Sequence, residues 1–120
     1  GRARLSRSRD FDAVYKKGRS AASRSLVVYT FRSGEDDTGD VRLGLAVPRR
    51  VGDAVTRNLV KRKLREAFAE ASSDLDTAHD VVIVARPGVA ETLEREDHAW
   101  LVGELRSLIG QTLSRSEAAV

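Results

Sequence analysis

Five polar donor side chains share one face of a predicted helix and form the most suggestive chemical group in the sequence. At about 100° per residue they fill an arc of roughly 140°, and they are Arg57, Asn58, Lys61, Arg62 and Arg65. Arginine makes bidentate contacts with phosphate and lysine supplies a compact charge. The spacing therefore predicts a surface that binds a phosphate backbone by position and shape, with little sequence readout. Arg49 and Arg50 precede the helix and extend this surface.

The alternative interpretation is a solvated helix face with no ligand. An exposed helix that is stabilised by its own ion pairs interleaves acidic and basic residues. Here only Glu66 and Glu70 are available as acidic partners along the helix. The scarcity of acids favours contact with nucleic acid.

The charge of the whole chain is segregated along its length. Residues 1–66 hold 17 Lys and Arg against 8 Asp and Glu, whereas residues 67–120 hold 4 Arg against 10 acids, for a net charge of +3. Such asymmetry indicates a polyanionic partner for the first half. With 120 residues the chain fits one domain, residues 1–120, and we expect flexible ends at residues 1–7 and 115–120.

The basic helix needs a core to hold it in place. It is predicted over about residues 56–72, with a buried stripe formed by Val60, Leu64, Ala67, Phe68 and Ala71. A short helix is predicted over residues 8–18, which begin with the capping residue Ser8 and end with Gly18.

Strands are predicted over residues 25–31 and 41–47, as a hairpin with a long acidic tip, and residues 19–22 could add an edge strand. Residues 80–85 form a short continuous apolar run, which is typical of a strand covered on both faces. A last helix follows over roughly residues 94–113. The order α-β-β-β-α-β-α predicts an α/β (α+β) sandwich, in which helices pack on a small mixed sheet.

Several kinds of chemistry find no support in the sequence. The chain has no cysteine, which excludes disulfides and thiolate sites, and no apolar run approaches the ~20 residues of a membrane span. Glu35, Asp36, Asp37 and Asp40 could suggest paired metal ions, but they lie in the predicted hairpin tip, where acids usually serve solubility. His79 and His98 are isolated in sequence. We therefore expect no catalytic residue and no metal site in the protein, and a cytoplasmic location.

The residues around the basic helix resemble a known family. Arg57-Asn58-x-x-Lys61-Arg62-x-x-Arg65, preceded by Arg42-Leu-Gly-Leu-Ala-Val-Pro-Arg-Arg-Val-Gly-Asp-Ala-Val55, is similar to the signature of the bacterial ribonuclease P protein subunit. Ser8-Arg-Asp-Phe-Asp-Ala-Val-Tyr15 and Asp80-Val-Val-Ile-Val-Ala-Arg-Pro87 match the same family at the expected places. Three positions depart from the family pattern: Leu59 stands in place of Arg, Asp53 in place of Asn, and Pro48-Arg49-Arg50 in place of Ser-Lys-Lys.

The resemblance implies a function as the non-catalytic protein subunit of a ribonucleoprotein endoribonuclease. The basic helix would bind the catalytic RNA, which would hold most of the required Mg²⁺. A cleft between the first helix and the sheet would receive the single-stranded 5′ leader of precursor tRNA, with Phe11, Tyr15, Lys16 and Tyr29 as its contacts. The family also has a left-handed crossover between parallel strands, whereas the general rule favours the right-handed form. No membrane or DNA partner is implied.

Two alternatives remain open at this stage. From the residues alone, Phe11 and Tyr15 at helical spacing are more often core residues, and Tyr29 in mid-strand can point either way. A ribosomal or other structural RNA-binding protein would also use a basic helix and exposed aromatics. A DNA-binding regulator is less consistent with a helix that offers mostly phosphate contacts.

Replacing the aromatic ring of Tyr15 tests the implied cleft. We expect Tyr15→Ala to leave assembly with the catalytic RNA intact but to reduce the preference for precursor over mature tRNA, because base stacking is lost. Parallel binding measurements with the two tRNAs give this ratio. An unchanged ratio would remove Tyr15 from the cleft.

Overall fold

The computed structural model describes residues 19–32, 42–73 and 79–118. It contains four strands, β1 (Arg19–Ala22), β2 (Leu26–Arg32), β3 (Arg42–Ala46) and β4 (His79–Ala85). Its three α-helices are α1 (Ala54–Ala71), α2 (Val89–Arg95) and α3 (His98–Ala118), and a single 3-10 turn, Arg49–Val51, precedes α1. The predicted helix over residues 8–18 lies outside the described residues. The observed elements follow the predicted order and confirm the mixed α+β class.

The sheet has the strand order β1-β2-β4-β3. Strand β2 is antiparallel to β1 and to β4, whereas β3 is parallel to β4. The predicted hairpin of β2 and β3 is therefore wrong, because β4 lies between these two strands. The physical reason is the apolar run of β4, whose Val81, Val82 and Ile83 are fully buried. A strand that must be covered on both faces takes a central position in a sheet.

Strands β3 and β4 and the helix between them form a parallel βαβ unit. Two adjacent parallel strands need a crossover connection, and α1 supplies it. This arrangement places the basic helix across the sheet. The left hand of the crossover stays a prediction from the family resemblance.

The helices pack on one side of the sheet, which we call the first face. The main core contains Val28 of β2, Val81 and Ile83 of β4, and buried residues from all three helices. The five predicted stripe residues of α1 are all buried, and they are Val60, Leu64, Ala67, Phe68 and Ala71. The helical periodicity thus predicted correctly which side of α1 packs into the core.

The last third of the chain forms two helices where one was predicted. Glu96, between α2 and α3, has an extended backbone with φ −101° and ψ 156°. The Asp97 carboxylate then accepts a hydrogen bond of 2.9 Å from the Trp100 backbone N–H. This is the geometry of an N-terminal cap, which starts a new helix. Within the described residues, none of the helices is both long and apolar enough to cross a membrane.

The opposite side of the sheet, the second face, carries its own apolar cluster. Val82 is fully buried there, and Tyr29, Phe31 and Val84 pack against it while remaining half-buried. The alternation of side chains along β2 and β4 separates this cluster from the main core.

Helix α1 begins two residues earlier than predicted because Asp53 caps it. The Asp53 carboxylate accepts a hydrogen bond of 2.8 Å from the Thr56 backbone N–H. Hydrogen bonds from the backbone and the side chain of Thr56, with the nearby charge of Arg57, hold the pKa of Asp53 below its usual value of 3.8. The folded protein thus stabilises the ionised form of Asp53 relative to the unfolded chain.

The cap predicts a pH-dependent contribution to stability. Because folding lowers the pKa of Asp53, the cap stabilises the protein fully at pH values above the usual pKa of 3.8. This stabilisation is lost as the pH falls through the lowered pKa of the folded protein. Asp53→Ala should lower the melting temperature by roughly a few degrees at neutral pH. Asp53→Asn retains a capping oxygen and should lie closer to the wild type. Thermal unfolding over a pH series measures both effects, and an equal deficit of Asp53→Ala at acidic and neutral pH would contradict the assignment.

Candidate nucleic-acid interface

The segment before α1 fixes where its basic residues begin. Val51 is buried at the end of the 3-10 turn, while Arg49 and Arg50, the first two residues of the turn, are exposed. Gly52 follows in close contact with α1, because a Cβ atom at this position would lie 2.8 Å from the Thr56 Cγ2. Only glycine leaves that space, so the turn packs tightly on the first turn of the helix.

The predicted arc of α1 is accessible in the structure. Asn58, Arg62 and Arg65 are exposed, whereas Arg57 and Lys61 are half-buried at the margin of the core stripe. The Nε atom of Arg57 is enclosed and has no hydrogen-bond partner within the described part of the chain. We call the following set the basic surface. It comprises Arg49, Arg50, Arg57, Asn58, Lys61, Arg62 and Arg65.

Acidic residues leave most of the basic surface uncompensated. In the described ranges, the one ion pair within 4 Å that involves this surface joins Arg62 to Glu66, at 3.8 Å and between exposed side chains. Glu70 instead contacts α3, where His98 Nε2 lies 3.0 Å from its carboxylate and Arg106 donates to its carbonyl at 3.3 Å. A set of mostly unpaired cations on a rigid helix and the turn before it favours a polyanion as the partner.

The other flank of α1 has a different character. Leu59, 41% exposed, lines a groove between α1 and α2 together with Lys63 and Glu94. Lys63 and Arg62 also line an adjoining groove with three acids, which are Glu66, Glu96 and Asp97. Leu59 and Lys63 therefore lie on the side of α1 that faces these acidic residues.

Tyr29 is the one predicted cleft residue within the described ranges. It lies on the second face beside Val82, and it is half-buried. Its neighbour two positions along β2, Phe31, belongs to the same cluster and was not predicted as a contact. The remaining predicted cleft residues lie outside the described residues, and they are Phe11, Tyr15 and Lys16.

One ion pair on the second face was missed by the sequence analysis. Arg42 Nε donates to Asp80 Oδ1 at 2.9 Å, and Arg42 Nη2 donates to Asp80 Oδ2 at 2.6 Å. The two residues are partners in the parallel register of β3 and β4. The incorrect hairpin had separated these strands, which hid the pair. An acid and a base at the starts of two apolar strands were the available signal.

The structure does not support an independent metal site in the residues that it describes. No group of three or more His, Cys, Asp or Glu residues lies close enough to hold a metal ion in residues 19–32, 42–73 and 79–118. The acidic cluster of Glu35, Asp36, Asp37 and Asp40 lies outside these ranges. His98 contacts Glu70, as described above.

Comparisons of the sequence with known proteins point to one family. The sequence profile of the family described as Ribonuclease P matches residues 1–112. The ribonuclease P protein component of Brevibacillus brevis is 41% identical over 99 residues, which cover 82% of this chain and 77% of that protein. The protein component of Staphylococcus haemolyticus is 42% identical over 83 residues, 69% of each chain.

Solved structures give the same result for the fold. The RNase P protein of Staphylococcus aureus superposes with a TM-score of 0.70 and 32% identity, covering 94% of both chains. The RNase P protein of Thermotoga maritima has a TM-score of 0.71 and 32% identity, over 88% of this chain and 96% of its own. Fold, motif and sequence therefore agree, and the chain belongs to the ribonuclease P protein family, the protein component of a ribonucleoprotein endoribonuclease in tRNA processing.

Proposed function

We propose that this chain binds the catalytic RNA of ribonuclease P through the basic surface and the 5′ leader of precursor tRNA across the second face. The observation that carries the proposal is the basic surface itself, whose cations form no ion pair within 4 Å in the described residues other than the loose Arg62–Glu66 pair. Family membership supports the identity of the RNA.

The rigidity of α1 supports phosphate contacts of defined geometry. The same helix buries five residues in the core and carries the basic surface alongside them. Side chains that project from a packed helix keep a fixed spacing, so arginines can make bidentate contacts with phosphates at set positions. Phosphate neutralisation also releases counterions from the RNA, which supplies affinity and makes it dependent on salt.

The second face supports contact with an unpaired strand. Aromatic faces stack on bases with tolerance for sequence, and Tyr29 and Phe31 remain half-buried there. Phe11, Tyr15 and Lys16 complete this cleft in the proposal. The protein would then hold ribozyme and substrate together, which raises the effective concentration of each for the other.

Hydrolysis belongs to the RNA in this proposal. Mg²⁺ held mainly by the RNA would supply the chemistry of phosphodiester cleavage. The protein's cations lower the repulsion between phosphates, and this should reduce the bulk Mg²⁺ that the RNA needs. The proposal includes a cytoplasmic location, because the substrate is a tRNA precursor.

Cleavage of precursor tRNA at low Mg²⁺ tests the proposed function. The catalytic RNA alone, the protein alone and the mixture are compared, and we expect cleavage at the mature 5′ end only in the mixture. Cleavage by the protein alone would contradict the proposal, because the chemistry would then belong to the protein and not to the RNA. Binding without stimulation would favour the alternative of a ribosomal or structural RNA-binding protein.

Removal of one charge tests the basic surface. Arg65 is exposed on α1, and we expect Arg65→Ala to weaken binding of the catalytic RNA and to reduce the slope of log affinity against log salt by about one. Arg95→Ala in α2 is the matched control, since it removes another exposed charge, which lies outside the basic surface. Filter binding or fluorescence titration over a salt series gives both slopes. Equal slopes for the two variants would contradict the interface.

A further inference from the structure

A row of three side chains crosses the second face at one end of the sheet. Phe31 of β2 is the register partner of Asp80 in β4, and Asp80 is the register partner of Arg42 in β3. Side chains of directly paired residues lie on the same face of a sheet, with Cβ atoms about 5 Å apart. The row therefore places an aromatic ring, a carboxylate and a guanidinium side by side on the face that we assign to the leader.

The ion pair within the row fixes the orientation of the Arg42 guanidinium. Both carboxylate oxygens of Asp80 accept hydrogen bonds from Arg42, at 2.9 and 2.6 Å. The side chain of Asp80 is 3% exposed, whereas that of Arg42 is 37% exposed. A planar guanidinium that is fixed from one side by a buried carboxylate loses little further entropy when it contacts a ligand.

The neutral charge of this pair separates it from the basic surface. Asp80 compensates the charge of Arg42, so the pair adds little to long-range attraction of RNA. What it offers instead is a directional donor whose position is set by the sheet. Such a group suits local recognition of a nucleotide that other contacts have already brought to the face.

The aromatic residues beside the pair provide two separate stacking positions. Tyr29 and Phe31 are two residues apart on one strand, and at about 3.4 Å per residue their rings are roughly 7 Å apart along β2. Both belong to the cluster around Val82 and both are half-buried. Two rings with this separation can stack on two different splayed bases.

We propose that Phe31 and Arg42, with Asp80 as the positioning residue, form a second subsite for an unpaired nucleotide of the leader, beside the one at Tyr29. Phe31 stacks on the base and the Arg42 guanidinium donates to the phosphate or an oxygen of that nucleotide. Every base has a stacking face, so the subsite tolerates sequence. This inference rests on the proposed function, since it requires the leader to cross the second face.

A leader-length series tests the subsite in the reconstituted holoenzyme. The dissociation constant is measured for precursor tRNAs with leaders from one to about ten nucleotides, which is a common site size for single-strand binders. We expect the wild type to gain affinity at distinct leader lengths as each subsite is filled. Phe31→Leu should remove one of these gains, about fivefold to tenfold, and Tyr29→Leu should remove a different one.

Matched controls separate the subsite from general loss of structure. Trp100→Leu makes the same aromatic change at a half-buried position of α3, which packs on the first face, and should leave the length profile unchanged. Arg42→Gln should remove the same gain as Phe31→Leu, whereas Arg95→Gln should remove none. Mature tRNA, which has no leader, should bind all variants equally well.

The outcomes distinguish the subsite from a purely structural clamp between β3 and β4. If Arg42→Gln and Asp80→Asn weaken binding of mature and precursor tRNA alike, in proportion to their loss of thermal stability, the ion pair is only structural and the inference is overturned. Arg42→Lys keeps the charge but not the bidentate geometry, and we expect it to recover little of the gain.

The length profile also separates failure of the subsite from failure of the proposed function. If Phe31→Leu leaves every gain intact while Tyr29→Leu removes one, the second subsite is overturned and leader binding stands. If the wild type gains no affinity at any leader length, the leader does not contact the protein. The second subsite and the proposed leader binding are then both overturned.

Discussion

Burial of β4 on both faces is the constraint on which the arrangement of this protein depends. Its side chains join the main core on the first face and a second apolar cluster around Val82 on the other. A strand that is buried on both faces takes a central position with a neighbouring strand on each side, and these neighbours are β2 and β3. Since β3 runs parallel to β4, the connection must cross the sheet, and that connection is α1. The position of the helix with the basic surface is thus fixed by the burial of the strand that follows it in the chain.

The two surfaces proposed to bind RNA follow from this one arrangement. Helix α1 carries both the core stripe and most of the basic surface, so the same packing that stabilises the fold also sets the spacing of the proposed phosphate contacts. The second face remains available for aromatic and directional contacts, because the described helices pack on the first face. Acids collect on the remaining flank, where α2 and the start of α3 meet α1.

The Arg42–Asp80 pair shows how a buried charge can serve a surface. A carboxylate that is 3% exposed is costly unless both oxygens are engaged, and Arg42 engages both. The same contact fixes an arginine that is still 37% exposed. Stability of the sheet and orientation of a donor on the second face depend on the same two hydrogen bonds.

Local sequence patterns predicted most of the described elements and both faces of α1. Its buried stripe, its basic arc and the strand character of residues 80–85 follow from local periodicity, which one segment carries alone. The signature around Arg57 to Arg65 also identified the family. Tertiary structure alone decided that β4 separates β2 from β3, that Arg42 meets Asp80, and that Phe31 joins Tyr29 beside them. The reason is that strand pairing joins residues such as Arg42 and Asp80, 38 positions apart, and no local pattern specifies which strand a given strand will meet.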